Sequence, residues 1–107
     1  MNQEKGAKKH FDKADYPALL EFVPAYLHQD FGQEYGSAAE AVTAFLADAS
    51  GDEILQVKDE WRRLLHVLGD RSLGEWQAAL RQLGGAWLPQ SVQEVRSVTE
   101  ILSRAEA

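Results

Sequence analysis

The sequence predicts an all-α fold, a single small domain of about five amphipathic helices. Two observations carry this. Serine and glutamate recur three residues apart in S-A-A-E (Ser37 to Glu40), S-G-D-E (Ser50 to Glu53), S-L-G-E (Ser72 to Glu75) and S-V-Q-E (Ser91 to Glu94). Apolar residues then follow each pair at helical intervals, and no stretch alternates as a strand would.

The first 14 residues have no apolar period and are rich in Lys, Gly, Ala and Asp, which predicts a mobile tail ahead of a helical domain over residues 15–107. Asp15-Tyr16-Pro17 marks the first helix start, because proline at the first turn lacks only an N–H that has no helical partner there. Leu19, Leu20, Val23, Tyr26 and Leu27 form its stripe, and Pro24 predicts that this helix is kinked or begins in two pieces.

At the four Ser-x-x-Glu sites the expected device is a capping box. The hydroxyl accepts from the amide three residues on, and the glutamate reaches back while placing negative charge at the positive end of the helix dipole. The stripes that follow are Ala38, Ala41, Val42, Phe45 and Leu46; then Ile54, Val57, Trp61, Leu64, Leu65 and Leu68; then Leu73, Trp76, Leu80 and Leu83; then Val95, Val98 and Leu102. Gly32, Gly69 and Gly84-Gly85 supply the stops.

At 107 residues the chain fits one domain. It has no cysteine, which removes disulfides and thiolate zinc sites, and it has no apolar run of the roughly 18 residues a membrane span needs. The N-terminal lysines are not followed by an apolar segment, so no secretory signal is expected and the cytoplasm is the expected location.

The net charge of −6 is uneven. Residues 16–60 hold nine acids against Lys58 alone, whereas the segments on either side are each close to neutral. Such a surface disfavours nucleic acid and suits a basic partner.

Residues that suggest chemistry have simpler readings. His28 and Asp30, two apart, point about 200° away from each other on a helix and do not share a metal ion. A histidine in the last turn, followed by Gly32, reads as a helix end, with Phe31 continuing the buried stripe. The pairs Asp30 with Glu34 and Asp48 with Asp52 each straddle a predicted break. The run Asp59-Glu60 before Trp61-Arg62-Arg63 reads as the solvated side of the longest helix. Trp61 and Trp76 belong to the core, while Trp87 in GGAWLP is either a core plug or an exposed anchor. With no G-x-S-x-G and no phosphate-binding glycine loop, no catalytic residue, metal or cofactor is expected.

The order Tyr16-Pro17, Phe22, Tyr26-Leu27-His28-Gln29-Asp30-Phe31, Tyr35-Gly36-Ser37 and an alanine-rich helix resembles the helical immunity proteins of bacterial contact-dependent growth inhibition systems. Asp59-Glu60 with Leu64-Leu65, and Leu83-Gly84 ahead of an aromatic residue and Pro89, extend the likeness from Tyr16 to Leu102. Beyond Pro89 the family often carries a Trp-Leu pair, where this chain has Val98-Thr99 and Ile101-Leu102.

The resemblance implies a cytoplasmic, non-enzymatic protein that binds the C-terminal toxin domain of a matching CdiA protein and blocks it. From charge, hydropathy and motifs, no nucleic acid, membrane or small-molecule cofactor is expected as a partner. A basic enzyme such as a nuclease fits the acidic half as the partner. From the charge and the resemblance together, the expected toxin-facing residues are Asp30, Glu34, Tyr35, Glu40, Asp48, Asp52 and Asp59. The alternative is a helical regulator or adaptor without a toxin partner.

Overall fold

The computed structural model describes residues 11–28, 33, 35–69 and 72–105. Among them are a 3₁₀ turn, Lys13–Asp15, and five α-helices: α1 Pro17–Tyr26, α2 Ala38–Asp48, α3 Gly51–Leu68, α4 Leu73–Gln82 and α5 Val92–Arg104. No described residue is in a strand, and the predicted all-α class is the observed one. Phe11, in the segment read as a tail, stacks on Tyr16 with ring centroids 5.5 Å apart. The rest of that segment up to residue 10 lies outside the described residues.

Helix α1 lies along α3 and α2 along α5, with α1–α2 and α3–α5 contacts joining the two pairs. The stripes meet in one core, formed by Leu19, Phe22 and Val23 of α1, Val42 and Phe45 of α2, Trp61 and Leu64 of α3, Trp76 and Leu80 of α4, and Val98 and Leu102 of α5. Phe22, which the sequence stripe passed over, is buried and sits 4.7 Å from Phe45 between ring centroids.

The long amphipathic helix α5 also supplies polar partners for two buried indoles. Trp61 Nε1 donates to Thr99 Oγ1 at 2.9 Å, and Trp87 Nε1 donates to Glu94 Oε1 at 3.1 Å. Trp87, only 3% exposed, is therefore a core plug.

Four expectations are corrected. First, α1 runs as one element with Pro24 in its last turn, so the helix does not begin in two pieces. Second, His28 is not in that helix. Leu27 is the C-cap at φ −114°, ψ 37°, and its carbonyl is turned out to accept from Ala86 N–H at 2.9 Å, which ends the helix before His28. Gly32 and Phe31 lie outside the described residues.

Third, Glu60 does not coat a solvated face. It is 5% exposed, and its carboxylate accepts from Ala18 N–H at 3.0 Å and from Leu19 N–H at 2.9 Å. Tyr16 offers no side-chain cap, so the positive end of α1 is closed by a carboxylate from α3.

Fourth, the Ser-x-x-Glu sites are not equivalent. The reciprocal box is complete at Ser50 and Glu53. At Ser37 and Ser72 the hydroxyl accepts from Glu40 and Glu75 N–H. At Ser91 neither half of the box forms: its hydroxyl makes no capping bond, and the Glu94 carboxylate accepts from Trp87 Nε1 and Gln90 N–H.

The α4–α5 connection is fixed by its glycines. Gly84 sits at φ +95°, a left-handed conformation that stops α4. A Cβ at Gly85 would lie 2.5 Å from Val23 Cγ1, so the chain can cross α1 only without one.

Candidate partner-binding surface

Three acids of residues 16–60 line an open cleft of about 420 Å³. Its walls are Pro17, Ala18, Glu21, Phe22, Ala25 and Tyr26 of α1, Phe45 and Asp48 of α2, Ala49, and Glu53, Gln56 and Val57 of α3. The cleft stays open because proline and alanines stand where larger side chains would close it. Packing sets its floor. Tyr26 stacks on Phe22 at 5.8 Å and meets Phe45 edge-on at 5.5 Å, while Tyr35 lies 6.0 Å from Tyr26.

The rim is negative. Glu21, Asp48 and Glu53 line it, and among the described residues no lysine or arginine does. Among the described residues no ion pair engages these three acids. Glu53 commits Oε1 to Ser50 N–H at 2.8 Å. The Tyr26 hydroxyl feels this environment: burial, then the charges of Asp48, Tyr35 and Glu53, raise its pKa above the ordinary tyrosine value.

The expected partner-facing residues separate into groups. Asp48 lines the cleft, and Tyr35, half-buried, reaches it through Tyr26. Asp52 is exposed in the first turn of α3, one residue from Glu53, and Glu40 is exposed in the first turn of α2. Asp59 is different, for it pairs with both Arg62 and Arg63, so its charge is largely answered within α3. Asp30 and Glu34 lie outside the described residues.

Sequence reasoning passed over Glu21, Glu53 and the aromatic floor. Glu53 was read for its capping role alone. Glu21 carried no motif, and its nearness to Asp48 depends on how α1 crosses α2.

A second depression, of about 580 Å³, lies between α3 and α5 and is lined by Leu55, Lys58, Asp59, Trp61, Arg62, Leu65, Thr99, Leu102 and Ser103. Leu55 is 53% exposed there, and Lys58 Nζ donates to Ala105 O at 2.6 Å. This surface is mixed in charge where the first is acidic.

Among the described residues no group of three or more His, Cys, Asp or Glu is placed to hold a metal ion, and no helix is long and apolar enough to cross a membrane. The described residues thus form a small helical fold whose polar groups serve caps and indoles, with a negative cleft at its surface. The family model for the CdiI immunity protein matches residues 15–96, from the start of α1 into α5, and the chain belongs to that family. No curated protein and no solved structure matches the chain.

Proposed function

We propose that this protein neutralises the C-terminal toxin domain of the CdiA protein encoded beside it, as a stoichiometric inhibitor acting in the cytoplasm. The carrying observation is the immunity-protein match across four helices and part of the fifth, on a chain whose acids are concentrated in residues 16–60. The toxin is a basic enzyme, of which a nuclease is the leading case, because an enzyme that attracts phosphates presents the positive surface that these acids complement. The proposed contacts are Asp30, Glu34, Tyr35, Glu40, Asp48, Asp52 and Asp59, with Asp59 the weakest through its internal ion pairs.

The experiment is co-purification with that toxin domain, followed by assay of the toxin with and without an equimolar amount of this protein. Formation of a one-to-one complex and loss of toxin activity are expected. A stable, folded protein that leaves the toxin active would refute the reading. Within the complex, Asp48→Lys with Asp52→Lys should slow association and flatten its salt dependence, since exposed charges act mainly on the encounter rate.

A further inference from the structure

We infer that the cleft between α1, α2 and the start of α3 seats an arginine side chain of the toxin, its guanidinium held by the carboxylates of Glu21, Asp48 and Glu53 over the aromatic floor. The inference rests on the reading of the chain as a toxin-binding protein and adds where and by what chemistry the toxin is held.

Space, three carboxylates and an aromatic floor coincide here. The cleft, about 420 Å³, lies within the roughly 300–1,000 Å³ of side-chain and ligand sites. Its exposed wall at Pro17 and Ala25 gives entry from solvent without disturbing the core. Three carboxylates belong to a lining that, among the described residues, contains no lysine or arginine, and none of the three is in an ion pair there. The acids outside the cleft lack this combination: Asp59 is already paired, and Glu40 and Asp52 stand on open helix turns with no aromatic floor.

Arginine fits this lining better than lysine. A guanidinium has donors for more than one carboxylate in its plane and offers its face to an aromatic ring, and it is less strongly hydrated than an ammonium. The α3–α5 depression suits it poorly, because Lys58 and Arg62 already stand there.

The test uses the full-length protein and the toxin domain encoded beside it, with affinity read by titration calorimetry and folding by thermal melting. Ala25→Arg fills the cleft from an exposed position of α1, and the double variant Glu21→Gln with Asp48→Asn removes most of its charge at nearly constant volume. Each should weaken toxin binding at least ~10-fold with an unchanged melting temperature. Leu55→Lys, in the other depression, should bind as wild type. One toxin arginine, changed to lysine, should lose affinity against the wild-type protein and little more against the double variant, which is the signature of a direct contact.

If both cleft variants fold and bind as tightly as wild type, the cleft inference is wrong and the immunity reading stands. It is equally wrong if Leu55→Lys alone weakens the complex. Failure of the wild-type protein to bind the toxin domain removes both readings. Should Ala25→Arg unfold the protein, the double variant, close to wild type in volume, decides.

Discussion

Helices α1 and α3 lie against each other and start in opposite ways. At α3, Ser50 and Glu53 exchange hydrogen bonds within one turn, so the start is closed by neighbours in sequence. At α1 the closing group is Glu60, 42 positions from Ala18, and it reaches the helix only when α1 has packed on α3. The first device works in an isolated helix. The second makes the formation of α1 and its docking one event, and because α1 forms one wall of the acidic cleft, Glu60 also holds a candidate binding surface in place.

The largest effect expected from this contrast is at Glu60. Its replacement by alanine leaves two first-turn amides without their acceptor, one of them on fully buried Leu19, and removes a carboxylate from the positive end of the dipole. Glu60→Ala should cost about 3 kcal/mol, read as a lower urea midpoint at an unchanged slope. Glu60→Gln, which keeps one acceptor oxygen, should recover part of the loss. A cost no greater than that of a local serine cap would erase the distinction between the two helix starts.

The same distinction separates what was legible in the sequence from what was not. Starts at Ser37, Ser50 and Ser72, stops at Gly69 and Gly84, and the burial of Trp61 and Trp76 all depend on nearby residues or on helical period, and each is visible in one dimension. Glu60 looked like surface because its partners lie on another helix. Trp87 stayed open between plug and anchor because its burial depends on Glu94 and on a connection pinned by Ala86 N–H to Leu27 O. The cleft was partly legible. Asp48 is expected from charge and resemblance, but Glu21 and the Phe22–Tyr26–Phe45 floor emerge only where α1 meets α2. Charge composition gave the sign of the surface, and packing gave its position.

A middle case sharpens the comparison. Glu94 belongs to a local Ser-x-x-Glu pair yet serves a buried indole and the amide of Gln90, just ahead of the serine. Glu94→Ala should strand the Trp87 N–H in a site only 3% exposed, at a cost of about 2 kcal/mol. The Trp87 environment should change with it, so a shifted emission maximum in a variant that keeps Trp87 as its sole tryptophan is the second readout. Loss of stability without any change at Trp87 would mean that the Gln90 contact dominates.

Next in size is Ser50→Ala, which removes the acceptor for Glu53 N–H while leaving the packing of α3 intact. A loss of about 1 kcal/mol in chemical denaturation is expected, the ordinary worth of a local N-cap. A loss as large as that at Glu60 would show that the local box is coupled to the tertiary structure, which the contrast denies.

The smallest effect, and the most discriminating, belongs to Ser91. By sequence it equals Ser37, Ser50 and Ser72, and all four would be expected to cost about 1 kcal/mol on replacement by alanine. In the structure its extended backbone, φ −157° and ψ 159°, is that of a cap, but its hydroxyl makes no capping bond. The carboxylate three residues on instead answers Trp87 and Gln90. Ser91→Ala should therefore cost less than roughly 0.3 kcal/mol, within the range of an ordinary surface substitution. Measured beside Ser50→Ala under the same denaturant conditions, the two serines should differ by more than the error of the method. Equal losses would show that Ser91 caps α5 in solution, and that Glu94 is shared between the helix start and the indole instead of being given up to it.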